Sequence, residues 1–315
     1  MKKHIFLVDG NSLAHANHNA NVLTVGDMQV QAIYGMLRSL HALVKAPGNH
    51  EIIVLWDGRA QWRLDIYPEY KGNRTPLDAE GIAKKEAFKR QTPFIEKALE
   101  LLGIKQIRSP LLEADDLAGY LARALSARGF RVTLVSGDKD WIALVDQNVT
   151  WFDPIRDRTV DLTNLLERTG YYTTEAFVQG KALVSDVSDN IPGIPGMGDK
   201  GSALFLAKWQ DVNEFFHQVD AGEYTPAARK DKKAKSLHPE QVLASPEGRA
   251  IFHRNVQLMD LRKSRRPEPG EVVIRQPAPN AAGFLQLCQR LAFASIVRTA
   301  VPFLSAFGIS HTPQA

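Results

Sequence analysis

The stretch HIFLVD, residues 4–9, sets four apolar residues in a row and closes them with an acid. A strand with one wet face would alternate. An unbroken run marks a strand covered on both faces, as in parallel sheets sandwiched by helices. Two lysines precede the run and imitate a signal peptide, but four apolar residues are too few for one. The pattern recurs downstream. EIIVLWD (51–57) is a second apolar run ending in an acid, IKQIR (104–108) a short third strand and RVTLVS (131–136) a fourth.

Helical periodicity fills the intervals. QVQAIYGMLRSLHALVKA (29–46) repeats like a helix until the turn PGN. TPFIEKALELLG (92–103) reads as a helix with Thr92 as N-cap, Pro93 in first position and Gly103 as the stop. EADD (113–116) opens another, closed by Gly129. Strands alternating with helices predict an α/β fold with a parallel, doubly wound sheet flanked by helices. Beyond about residue 173 the strand signal fades and helical patterns dominate, so a boundary is expected near 180.

Ligands of such a sheet bind beyond the carboxyl ends of its strands. Asp9 ends the first strand, Asp57 the second; Glu113, Asp115 and Asp116 follow the third, Asp138 and Asp140 the fourth. Asp186 and Asp189 come later, in SDVSDN. Like charges at about 4 Å repel by about 1–4 kcal/mol at an effective dielectric of 20 to 80. A cluster of this kind stays ionised in a cleft only with cations. Oxygen donors without His or Cys favour Mg²⁺ or Mn²⁺, and two ions about 3.5–4 Å apart would make a phosphoryl-transfer site. The crowding also predicts that Asp116→Asn stabilises the metal-free protein.

Two further segments point to a polyanion. Residues 58–91 form a long, basic insertion in which Trp62, Tyr67, Tyr70 and Phe88 are interleaved, suited to phosphate contacts and base stacking. In NIPGIPGMGDKGSALFLAKW (190–209), Gly193, Gly196 and Gly198 make a tight loop before a helix whose start can bind phosphate, with Lys200 adding charge. The chain of 315 residues carries a net charge of +4, with basic islands RKDKKAK (229–235) and RKSRR (262–266). Cys288 is the single cysteine, which excludes an intrachain disulfide and a cysteine-built zinc cluster. No run approaches the ~20 apolar residues of a membrane helix, and a cytoplasmic protein is expected.

LVDGNS, LWDGRAQWR, PEYKGNR, LEADDLAGYLA, VSGDKDW and SDNIPGIPGMGDK, within residues 5–209, together resemble the 5′ nuclease (flap endonuclease) superfamily. The likeness is to the N-terminal 5′ nuclease domain of bacterial DNA polymerase I and to free-standing phage 5′-exonucleases. It implies a PIN-like α/β core over 1–180 with a helical arch at 58–91. A helical DNA-binding part would span 181–295, with a helix–two-turn–helix element at 190–209, and a tail 296–315.

By the same resemblance Asp9, Asp57, Glu113 and Asp115 would hold one metal ion. Asp138, Asp140 and Asp189 would serve a second, with Asp115 near both and Asp116 and Asp186 in support. Tyr70, Lys71 and Arg74 would act catalytically at the arch base, against the scissile phosphate. Lys181 would contact DNA, and the Gly193–Lys200 loop would grip the duplex with a K⁺ ion. The activity implied is 5′-3′ exonuclease or flap endonuclease, by a monomer, on branched, nicked or 5′-ended DNA, RNA–DNA included. No polymerase domain follows, so a free-standing nuclease is expected.

The alternative is a catalytically silent DNA-binding scaffold of the same fold, which should have lost acids; none of the core set is missing. A dehalogenase-type phosphatase would need an acid two residues after Asp9, where Asn11 stands. The chain also departs from the family after Asp9. Where an aromatic and a basic residue are common, it has only His15 and His18, expected as loop residues rather than metal ligands.

Overall fold

In the computed structural model, which describes residues 3–45, 48–73, 78–228 and 237–312, both faces of HIFLVD are covered. Ile5 and Leu7 enter one apolar cluster, Phe6 and Val8 the other. Side chains alternate across a strand, so an unbroken apolar run is what a place between two helix layers requires. Arg74 and the island 229–235 lie outside the described residues.

The chain begins β1 (His4–Asp9), α1 (Gly10–His18), a ribbon of β2 (Thr24–Val25) and β3 (Met28–Gln29), and α2 (Gln31–Val44). It continues β4 (His50–Trp56), α3 (Gln61–Ile66), α4 (Ala79–Leu101), β5 (Lys105–Arg108), α5 (Ala114–Ala127) and β6 (Arg131–Val135). A 3₁₀ turn (Lys139–Leu144) leads to β7 (Val149–Asp153), β8 (Arg158–Val160), α6 (Leu165–Thr169) and α7 (Thr174–Leu183). Then come α8 (Asp199–Trp209), α9 (Val212–Asp220), α10 (Pro239–Ala244) and α11 (Pro246–Met259). The last are β9 (Val273–Arg275), α12 (Ala281–Arg290), α13 (Ala294–Arg298) and α14 (Ala300–Ala306).

The main sheet has the order β8-β7-β6-β1-β4-β5-β9. β7, β6, β1, β4 and β5 are parallel; β8 and β9 close the two edges antiparallel. The four expected strands are therefore present, and three more complete the sheet. β7 alternates buried and half-buried residues, and β9 is exposed along its length, so neither shows the unbroken apolar run of β1. β9 also corrects the expectation that the strands end near residue 173.

Three other expectations change. Thr92 and Pro93 do not start a helix: α4 runs unbroken through them, capped by Asp78, whose Oδ1 accepts the Gly81 N–H at 2.8 Å. A proline already has a helix-compatible φ, and its cost is one lost N–H bond and crowding of the preceding turn. The boundary expected near 180 falls inside α7, and Phe177, Phe205, Phe215 and Phe252 join the cluster that covers Ile5 and Leu7. The expected tail 296–315 is largely helical in its described part, with Ile296, Phe303 and Leu304 buried against the opposite face. Among the described residues no helix is long and apolar enough to cross a membrane.

Candidate functional site

Parallel strands bring their carboxyl ends to one edge, and at this edge the backbone itself ties the acids together. Asp9 closes β1 and caps α1: its Oδ1 accepts the Ser12 N–H and its Oδ2 accepts the Ser136 hydroxyl from the end of β6, both at 2.9 Å. Asp57, just past β4, accepts the Ala114 N–H at the start of α5 at 2.9 Å, and its own N–H donates to Asn11. Asp115 accepts the indole N–H of the fully buried Trp141 at 2.7 Å. Asp138 caps the 3₁₀ turn by accepting the Asp140 N–H at 2.8 Å.

Asp9, Asp57, Glu113, Asp115, Asp138, Asp140, Asp186 and Asp189 all line one cavity of about 840 Å³. Burial pushes the Asp9 carboxyl up to about 6, with Asp57 adding to it. Crowding by protein and the neighbouring Asp140 push Asp138, whose surface opens to the cavity, up to about 7. Burial, then Asp138 and Asp9, hold Asp115 well above the usual carboxylate range. Each shift marks a carboxylate that is uncomfortable as an anion, the condition a divalent cation relieves.

Asp116 is the exception. Its Oδ2 accepts from Arg63 Nη1 at 2.9 Å and from the Glu113 N–H at 3.0 Å, closing the start of α5, and it does not line the cavity. It serves the cap of the helix.

Cations answer the remaining acids. Lys71 Nζ lies 2.7 Å from Glu113 Oε1 and 3.7 Å from Asp189. Burial alone would lower its pKa, but Glu113 and Asp189 outweigh that and raise it. The Tyr70 hydroxyl lies 3.0 Å from Glu113 Oε2 and 2.9 Å from Asp189 Oδ2, which share its one proton, and burial raises its pKa, so it remains a donor. Lys181 pairs with Asp140 at 2.8 Å and Asp186 at 3.4 Å, which places it inside the cavity. Arg63, 3% exposed, bridges Glu113 and Asp116 from behind.

Lys71 takes a left-handed φ of 57°, held by its N–H donating to the Asp189 carbonyl at 2.9 Å. The Asn190 amide donates back to the Glu69 carbonyl at 2.7 Å, so the 67–73 segment and the 186–191 loop are interlocked.

No three carboxylates among the described residues already form a metal-ligand group. Lys71 and Lys181 hold Glu113, Asp140, Asp186 and Asp189 in ion pairs. The donor chemistry nevertheless fits a hard divalent cation: the acids supply only oxygens, and Asp9, Asp115 and Asp138 are all pushed toward protonation without one.

The glycine loop leaves the same region. A Cβ on Gly193 would stand 2.4 Å from the Ser185 nitrogen, and Gly196 has a φ of 82°, so both positions need glycine. Gly198 precedes α8 with open space where a Cβ would lie, and Lys200 is exposed in its first turn.

The histidines correct an expectation. Both lie in α1 rather than in a loop. His18 is buried, with its Nδ1 facing the side-chain amides of Gln91 and Gln31. His15 stacks on Phe88 at 3.8 Å and lines the cavity. Sequence reasoning also missed Arg63, Lys139, Arg156 and Arg158. Arg156 and Arg158 line the cavity only because of strand order, for which no local signal exists, whereas Lys139 stands between Asp138 and Asp140, two acids the sequence does single out.

The family described as 5′-3′ exonuclease, N-terminal resolvase-like domain, matches residues 4–173. A 5′-3′ exonuclease of Aquifex aeolicus is 32% identical over 213 residues, covering 67% of this chain and 71% of that protein. The thermostable DNA polymerase I of Thermus filiformis is 30% identical over 300 residues, 94% of this chain; the match spans 33% of the polymerase, about a third of its length. A bacteriophage T5 flap endonuclease, solved with DNA and metal ions, superposes with a TM-score of 0.67 at 21% identity, covering 97% of this chain and 100% of that one. At that identity the likeness is one of fold.

Proposed function

The chain belongs to the 5′-3′ exonuclease family, and we propose that it is itself a divalent-metal-dependent nuclease acting near the 5′ ends of branched, nicked or 5′-ended DNA. The observation that carries the reading is the convergence of eight carboxylates, from four strand ends and the 186–189 loop, on one cavity. A silent scaffold of the same fold has no use for eight carboxylates gathered in one cavity.

Asp9, Asp57, Glu113 and Asp115 would hold one cation and Asp138, Asp140 and Asp189 a second, Mg²⁺ or Mn²⁺, with Asp186 steadying Lys181. Bound there, the cations would activate water and neutralise charge on the phosphate. The rest falls to side chains. Lys71 and the Tyr70 hydroxyl, both bonded to Glu113, would donate to a phosphate oxygen as its charge grows. Arg74, three residues on, would add a second cation. The bond broken is that between phosphorus and the 3′ oxygen, which leaves a 5′-phosphate and a 3′-hydroxyl. The start of α8, with Lys200 and the open Gly198, would hold duplex phosphates as a helix–two-turn–helix grip, with K⁺ on the loop carbonyls. A monomer suffices, since every acid comes from one chain.

The test is cleavage of labelled 5′-flap DNA, flap RNA and a phosphomonoester with Mg²⁺ or EDTA. Metal-dependent cutting of flap DNA is expected, without phosphomonoester hydrolysis. Asp57→Asn or Asp138→Asn should lower the rate by at least about 100-fold, the upper end of what loss of a ligand's supporting partner does, while flap binding persists. Full cleavage by the double substitution would overturn the metal assignment.

A further inference from the structure

Basic residues on the cavity wall are of two kinds. Lys71 and Lys181 are bonded to cavity carboxylates, and the proposed reaction uses Lys71 directly. Arg156 and Arg158 line the same cavity from the turn between β7 and β8, and Lys139 lines it from between Asp138 and Asp140; the three are so far without a role.

Their position follows from topology. β7 is parallel to β6, β1 and β4, so Asp153 at its end lies at the edge that carries Asp9 and Asp57. The turn into β8 therefore projects beside the carboxylates, and β8 begins with Arg158 paired opposite Asp153. Asp153 braces that turn. Its Oδ1 accepts the N–H groups of Ile155 at 2.9 Å and Arg156 at 3.2 Å, and its Oδ2 accepts Arg156 Nη1 at 2.9 Å. Arg156 is thus partly committed to the turn.

Arg158 and Lys139 are not. Both are exposed, and neither side chain makes a hydrogen bond or ion pair among the described residues. A cation left without an internal partner beside eight carboxylates is available to an anion that arrives from outside.

We propose that Arg158, where the braced β7–β8 turn enters β8, and Lys139, which follows Asp138 at the start of the 3₁₀ turn, form a second phosphate subsite that grips the backbone of the bound strand. The proposal rests on the nuclease reading and adds a specificity to it. Arg158 stands on β8, four strand spacings from β4, about 19 Å, on the side away from Lys71 and Glu113. A phosphate held at Arg158 is therefore not the scissile one but one a few nucleotides along. Reaching both flanks requires the strand to lie extended across the sheet edge, so the subsite favours single-stranded or frayed 5′ ends over intact duplex. The group held is a phosphate, either an internal phosphodiester or the terminal 5′-phosphate.

The test is fluorescence anisotropy of 3′-labelled DNA in EDTA across a range of KCl, with the full chain. The probes are a flap duplex with and without a 5′-phosphate and a blunt duplex of the same sequence. For the flaps, Arg158→Gln should weaken binding several-fold at low salt and flatten the salt dependence by about 0.7, the value of one single-strand phosphate contact. Arg158→Lys keeps the charge and should keep the wild-type slope, and both variants should melt like wild type. In Mg²⁺, Arg158→Gln should raise KM on flap DNA with little change in kcat. An effect confined to phosphorylated flaps identifies the terminal phosphate; an effect on both flap forms identifies a phosphodiester. An unchanged slope on every probe, or an equal change on the blunt duplex, overturns the proposal. Wild-type protein that cuts no flap DNA with Mg²⁺ or Mn²⁺ would instead overturn the nuclease reading beneath it.

Discussion

Glu113, Asp115 and Asp116 sit within four positions, and partners from other segments meet all three. Glu113 takes Lys71, Tyr70 and Arg63; Asp115 takes the Trp141 indole; Asp116 takes Arg63 and its own helix start. The repulsion expected from their crowding is met by a buried guanidinium that touches two of the three. Burial opposes the charge on Arg63, but Asp116, Tyr70 and Glu113 outweigh it and keep the group protonated. This reverses the expectation for Asp116→Asn. Removing one partner of a buried ion pair leaves the other uncompensated, and here Glu113 compensates in part, so the variant should lose about 2–3 kcal/mol. Urea unfolding checks it: the midpoint should fall, and a rise would restore the simple repulsion picture.

The same contrast holds for the elements. β1, β4 and α5 were legible because their signals are local: apolar runs closed by an acid, and a periodic helix opened by an acidic cap. α4 misled because its first half is polar and exposed, so the pattern that stands out starts near Thr92, where Ile95, Ala98 and Leu99 turn to the core. α14 was invisible for another reason. Its seven residues are too few for a periodic pattern, and only Phe303 and Leu304 are buried. Phe303 is 1% exposed and stacks on His41 of α2 and Phe284 of α12. Phe303→Ala should therefore cost about 3–5 kcal/mol, read as a lower melting temperature. In a true tail the substitution would be silent.

At the scale of the whole molecule, the acid cavity couples stability to pH and to cations. Asp9 and Asp138 rise from an ordinary 3.8 to about 6 and about 7. Carboxyls raised in this way bind protons more tightly folded than unfolded. Their stabilising contribution is complete below about pH 4 and is lost as pH climbs toward 7. In EDTA the melting temperature should carry a component that falls across that window. Mg²⁺ or Mn²⁺ binds the ionised form and should raise the melting temperature more at pH 7.5 than near pH 5, by mass action on the folded state. A metal-induced gain that does not change with pH would count against cation binding by these groups.

What the sequence determined by itself is what local chemistry encodes. The unbroken apolar runs required strands covered on both faces, and the acids that close them had to gather at one edge once those strands were parallel. Strand order carries no such mark. Only the tertiary structure sets β6 between β1 and β7 and turns β8 back, which brings Arg158 to the flank of the cavity opposite Lys71. Only packing aims the Arg63 guanidinium between Glu113 and Asp116. Side-chain period and helix caps act over a few residues, whereas which strands pair and which charges meet is decided by contacts between segments more than forty residues apart.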